Sequence, residues 1–95
     1  MKKYEALFIL KPDLSDEEKK MLFLQLNDAI AKRQGGVVNA GVWGEKRKLY
    51  FPLKRYREGL YYLISFDALP ASLDEINHAY RLNENILRVL IIAQE

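Results

Sequence analysis

The pattern S-x-x-E occurs twice in this chain, as Ser15-Asp16-Glu17-Glu18 and as Ser72-Leu73-Asp74-Glu75. A serine three residues ahead of a glutamate is the mark of a capping box, where each side chain binds the other's backbone N–H at a helix start. Each copy follows an alternating apolar segment and precedes apolar residues at helical spacing. Two strand–helix–strand units in one short chain leave very few ways to bury a common core.

The first unit opens with Tyr4, Ala6, Phe8 and Leu10 alternating with Glu5, Leu7 and Ile9, which predicts a strand buried on at least one face and ended by Pro12. A helix from Asp16 to about Arg33 sets Leu22, Leu26, Ala29 and Ile30 on one stripe with Phe23 beside it, and Gly35-Gly36 is expected to stop it. From Val37 to Leu53 the chain reads as strand, with Leu49, Phe51 and Leu53 on one face and Lys46, Lys48, Tyr50 and Pro52 on the other. Gly41 and Gly44 suggest bulges and Pro52 an edge position. A charged turn, Lys54 to Gly59, is expected to lead into a strand over Leu60–Phe66.

In the second unit Leu73, Ile76, Ala79 and Tyr80 follow the Ser72 cap at helical spacing, and Ile86 to Ile92 reads as the last strand. The order β-α-β-β-α-β predicts an α+β, ferredoxin-like split β-α-β fold: a four-stranded antiparallel sheet with two helices on one face. The other face and the edges are left to meet partners.

At 95 residues the chain is read as a single domain, residues 1–95. A domain of this size buries only roughly 60–65% of its unfolded surface, so a deep enclosed catalytic cavity is not expected. With no cysteine, disulfides, thiol nucleophiles and zinc or iron–sulfur sites built on thiolates are excluded, which fits a reducing compartment. The start MKKYEALFIL resembles a signal peptide, but Lys11-Pro12 stops its apolar run short of the about 7–15 residues required. No stretch approaches the roughly 20 apolar residues of a membrane-spanning helix, and a cytoplasmic protein is expected.

Catalytic and metal-binding patterns are weak. His78, the single histidine, falls off the apolar stripe of its helix and is expected in solvent. Asp13, Asp16, Glu17 and Glu18 sit where capping and the helix dipole account for them. Ser15 and Ser72 have no histidine in a nucleophile pattern, and Gly35-Gly36 lacks the lysine and spacing of a phosphate loop. No cofactor, metal or small-molecule substrate is expected.

Charge distribution is more informative than its sum. Between Lys46 and Arg57 there are six basic residues, Lys46, Arg47, Lys48, Lys54, Arg55 and Arg57, and no acidic one. This segment carries +6, so the remaining residues together carry −4 beneath a net charge of +2. Cations interleaved with Tyr50, Phe51 and Tyr56 combine phosphate neutralisation with base stacking, an arrangement suited to RNA. The same lysines also guard an edge strand against edge-to-edge pairing.

With these residues in view the chain resembles the bacterial small-subunit ribosomal protein six family over essentially its whole length. The resemblance rests on Met1-Lys2-Lys3-Tyr4-Glu5 before the first strand, Lys11-Pro12, Gly35-Gly36, Trp43-Gly44 with Lys46-Arg47-Lys48-Leu49 and Phe51, Gly59-Leu60-Tyr61-Tyr62, and Asn83-Glu84-Asn85-Ile86-Leu87-Arg88. It implies a structural role, binding small-subunit ribosomal RNA as a heterodimer with ribosomal protein eighteen. Lys46, Arg47 and Lys48 match the family's basic run, and Lys2, Lys3 and Arg88 match basic family positions. Lys54, Arg55 and Arg57 are proposed from charge alone.

Two departures bear on the partner-facing surface. Glu45 sits between Gly44 and the basic run, so that either a bulge absorbs one residue or Trp43-Gly44 is displaced by one, and Tyr50 replaces a small alanine. The long acidic C-terminal tail of some members has no counterpart here.

Two rivals share the scaffold. An RNA recognition motif domain for single-stranded RNA needs a basic residue, a glycine and aromatics on the open sheet face. Glu58-Gly59-Leu60-Tyr61-Tyr62-Leu63-Ile64-Ser65 lacks the basic residue and the first and last aromatics, and Tyr62 has the parity of the residues expected to face the helices. An acylphosphatase-like enzyme needs a glycine-rich, arginine-bearing loop after the first strand, where Lys11-Pro12-Asp13-Leu14-Ser15-Asp16 places two carboxylates.

Overall fold

Tyr4, Ala6, Phe8 and Leu10 are all buried along β1 (Lys2–Leu10), because β1 lies inside the sheet and presents one side to both helices. The computed structural model describes residues 1–94. Behind β1 follow α1 (Asp16–Ala31), β2 (Gly36–Leu53), β3 (Tyr56–Ala68), a 3-10 turn (Pro70–Ser72), α2 (Leu73–Arg81) and β4 (Ile86–Ala93). The strands form one four-stranded sheet in the order β2-β3-β1-β4, and every neighbouring pair is antiparallel. This is the ferredoxin-like split β-α-β architecture.

Directly opposed residues in an antiparallel ladder share a face. The pairs Phe8↔Tyr62, Ala6↔Ile64 and Tyr4↔Phe66 therefore continue one apolar layer from β1 to β3, which Leu22, Leu26 and Ile30 of α1 and Ile76 and Tyr80 of α2 close from above. Tyr62 faces the helices, where Phe23 stacks on it at 4.3 Å with an interplanar angle of 6°. Phe8 meets Tyr80 edge to face at 4.8 Å, and the Tyr80 hydroxyl donates to the Leu26 carbonyl at 2.7 Å. Burial pushes the Tyr80 phenol far above its ordinary range and also raises Tyr62.

At the start of α1 the capping box forms in full: the Glu18 N–H donates to Ser15 Oγ at 3.2 Å and the Ser15 N–H to Glu18 Oε1 at 3.0 Å. The backbone bond from Ser15, then that from its side chain, holds the Glu18 carboxyl below the usual carboxylate range. The second box does not form. Pro70 imposes a 3-10 turn ahead of α2, which leaves Ser72 helical at φ −85°, ψ −13°, with no side-chain cap bond. A helical serine at that position cannot turn its hydroxyl onto the N–H groups ahead.

The end of α1 also differs from expectation. Gln34, at φ 64°, takes the left-handed position, while Gly36 already begins β2. Gly35 is needed for close approach: a Cβ there would lie 2.5 Å from Ile30 Cγ2 and 3.0 Å from the Asp67 carbonyl.

The hairpin between β2 and β3 is tighter than the sequence suggests. Leu53 pairs with Tyr56, so the turn consists of Lys54 and Arg55 alone, and β3 begins at Tyr56 instead of Leu60. Both turn residues have positive φ, 47° and 73°, as a primed hairpin turn requires. Along β2 the pairing slips at Val37/Asn39, Val42/Gly44, Gly44/Arg47 and Lys48/Leu53, which explains how 18 residues of β2 run beside 13 of β3. One slip places Trp43 as an extra residue and the next falls at Glu45-Lys46, so the strand bulges on both sides of Gly44.

Candidate nucleic-acid interface

The β2–β3 hairpin projects past the end of β1, since Leu60 is the last residue of β3 that β1 pairs with. Its tip bends back across the sheet end. The Tyr56 hydroxyl lies 3.5 Å from Asp13 Oδ2 in the loop after β1, and Leu49, Tyr50, Phe51 and Leu53 border a concavity of about 300 Å³ together with Ile9, Tyr61 and Arg88. Leu49 and Leu53 are half-buried there, while Phe51 is largely exposed and Tyr50 wholly so.

Arg47 is the most closely held cation of the basic run. Its guanidinium lies 5.2 Å from the Trp43 ring centroid and 5.8 Å from that of Tyr61, and Nη2 is 3.4 Å from the Trp43 carbonyl oxygen. The arginine stem crosses Gly44, where a Cβ would fall 2.8 Å from Arg47 Cδ and 2.9 Å from Cγ. The bulge sets both Trp43 and Gly44 against Tyr61, so the stem of Arg47 can cross the glycine while the two neighbouring rings orient its exposed guanidinium.

Lys46, Arg47, Lys48, Lys54, Arg55 and Arg57 are all exposed. Among the described residues the single ion pair is Arg33 with Glu75, at 3.9 Å, so these six cations have no carboxylate partner within that distance. Lys48 stands opposite Glu58 in the ladder without closing a salt bridge. A compact group of unneutralised cations beside exposed aromatic rings can hold phosphates and stack bases.

The remaining sequence candidates divide. Arg88 of β4 stands opposite Ile9 and lines the concavity beneath the hairpin, so it joins the basic group. Lys2 and Lys3 pair with Ala68 and Asp67 at the far end of β3, away from the tip. Trp43 and Tyr61, which orient Arg47, were not among the candidates; the glycine next to Trp43 was the available signal. Arg81, at the end of α2, also lies by the tip and is outside the basic run that charge clustering picks out.

The sheet face away from the helices carries Leu7, Ile9, Leu63, Leu90 and Ile92, and Leu90 and Ile92 are about half exposed. Among the described residues no group of three or more potential ligands could hold a metal ion, and no helix is long and apolar enough to cross a membrane. The Lys11–Asp16 segment forms a turn followed by the Ser15 cap of α1.

Together these features define a ferredoxin-like domain whose distinctive chemistry is on its surface: a basic edge hairpin beside an uncovered apolar sheet face. The family model for ribosomal protein S6 matches residues 3–93. The small ribosomal subunit protein bS6 of Caldanaerobacter subterraneus subsp. tengcongensis is 39% identical over 97% of this chain and 96% of its own length. That of Desulforudis audaxviator is 37% identical over the whole of both chains. The crystal structure of ribosomal protein S6 from Thermotoga maritima superimposes with a TM-score of 0.89 at 28% identity, covering 98% of this chain and 87% of that one. The chain belongs to the ribosomal protein S6 family, proteins of the small ribosomal subunit. The C-terminal domain of MgtC from Mycobacterium tuberculosis, at TM-score 0.67 and 9% identity, shares the fold alone.

Proposed function

We propose that this protein is a structural, non-catalytic component of the small ribosomal subunit. It binds small-subunit ribosomal RNA through the β2–β3 hairpin, and ribosomal protein eighteen, the partner its family resemblance implies, through the apolar sheet face. The observation that carries the reading is the set of unpaired cations on the hairpin, with Arg47 oriented by Trp43 and Tyr61. Lys and Arg there release counterions from the RNA and set the protein's position, while discrimination comes from RNA shape. Leu90 and Ile92, beside Leu7 and Ile9, supply apolar area for a protein partner. In this role the protein resides on the ribosome.

Reversing Lys46, Arg47 and Lys48 to Glu tests the reading. Incorporation into RNA-dependent small-subunit particles is expected to be lost, whereas thermal unfolding shifts by no more than about 1 kcal/mol, since all three side chains are exposed. Unchanged incorporation overturns the proposal.

A further inference from the structure

Where the hairpin tip bends back over the sheet end it meets the start of β4. There Lys54, Arg81 and Arg88 border one concavity of about 260 Å³, completed by Tyr80, Ile86, Leu87 and Val89. Three cations from three separate elements, the hairpin turn, the last turn of α2 and β4, converge with no carboxylate in the lining. None of the three pairs with a carboxylate within 4.0 Å among the described residues.

Like charges gathered without a counter-charge repel one another, and a concavity lined by one sign of charge focuses a field that draws anions into it. The helix dipole accounts for Arg81 in the last turn of α2, but not for Lys54 or Arg88. Lys54 is brought there by a turn in which it and Arg55 both hold left-handed backbone that ordinary residues disfavour. The concavity, at about 260 Å³, is larger than the space a single water needs and can admit a phosphate group.

We propose that this concavity is a site for a single backbone phosphate of the bound RNA, held by Lys54, Arg81 and Arg88. The proposal rests on the RNA-binding role above and adds to it a second point of attachment, on the β4 side of the hairpin. The basic run of β2 and the concavity grip the RNA from the two sides of one projecting hairpin, which fixes the direction in which the tip enters.

The test measures RNA binding by the full chain, together with its partner ribosomal protein, at salt concentrations from 50 to 200 mM. Losing one phosphate contact lowers the slope of log affinity against log salt by about 0.7–0.9, so wild type should lose about threefold more affinity over this range than Arg81→Gln. Arg81→Lys keeps the charge and should keep the slope. Lys32→Gln, the same charge change at the C-terminal end of α1 and outside the lining of the concavity, should match wild type; its thermal unfolding and that of the Arg81 variants verify folding. A wild-type slope for Arg81→Gln, or an equal drop for Lys32→Gln, overturns the phosphate site. If the Lys46/Arg47/Lys48 reversal still abolishes binding in that case, the RNA-binding role stands; wild-type binding by every variant removes both.

Discussion

Gly44→Ala moves the Arg47 guanidinium without removing its charge, and its effect should change sign when Arg47 is absent. The new methyl group would crowd Cγ and Cδ of Arg47, which sit 2.9 and 2.8 Å from an ideal Cβ, and the flexible arginine stem must swing away. That releases the guanidinium from Trp43 and Tyr61, contacts worth about 0.5–1 kcal/mol per ring at an exposed site. Against this loss, the φ of Gly44 is not positive, so alanine is tolerated by the backbone and restricts the unfolded chain, a gain of about 0.4–1 kcal/mol. The net expectation is a destabilisation of about 0.5–1 kcal/mol. In an Arg47→Ala background only the gain remains, and the same substitution should stabilise by about 0.4–1 kcal/mol. Urea unfolding followed by far-UV circular dichroism gives all four corners of the cycle. Trp43, the single tryptophan, reports separately on departure of the guanidinium through its fluorescence. An effect of the same sign and size in both backgrounds would refute the idea that Arg47 is held across Gly44.

Two further outcomes are expected. Tyr80→Phe removes the buried bond to the Leu26 carbonyl and should cost about 0.5–1.5 kcal/mol at pH 7, a fall in Tm of about 4–8 °C per kcal/mol. Burial raises the Tyr80 pKa, so the folded state keeps a proton that the unfolded chain releases, and wild-type stability falls as pH rises past about 10, by about 1.4 kcal/mol per unit. The variant lacks that loss, so the two unfolding curves should meet near about pH 11; a constant offset to that pH contradicts the assignment. Replacing Lys54-Arg55 by Asn-Gly supplies residues suited to positive φ and should raise stability by about 1–2 kcal/mol while weakening RNA-dependent assembly, because Lys54 is lost. A lower Tm for that variant would show that the turn is not strained.

The parts of the fold that could be read in advance are those where burial on one side writes a period into the chain. Tyr4, Ala6, Phe8 and Leu10 alternate because β1 has the helices on one side, and the parity of Tyr62 with Leu60 and Ile64 placed it correctly in the core. In β2 no residue is fully buried, so no alternation marks where the ladder slips; Gly44 and Glu45 pointed to bulges that are there, whereas Gly41, also read as a bulge, pairs regularly with Leu63. The turn was misplaced because Lys54-Arg55 lacks the Asn or Gly that announces positive φ. Ser72 failed as a cap for a local reason, the 3-10 turn set by Pro70. Arg81 was invisible for a tertiary one: only the bending of the hairpin brings it beside Lys54 and Arg88.

The two readings of the β2 lysines converge once the strand's irregularity is taken into account. A straight edge strand offers a row of evenly spaced donors and acceptors to any passing chain, and bulges, lysines and Pro52 spoil that row. The extra residues also coil the hairpin, since a bulge sharpens the local twist. It is this coiling that carries Leu49–Lys54 over the end of β1 to Arg88 and Arg81 instead of leaving the tip pointing straight into solvent. A regular β2 would thus lose twice, becoming open to strand addition and withdrawing Lys54 from the other two cations. Protection of the edge and the proposed grip on RNA draw on the same residues, and a substitution that straightens β2 should damage both.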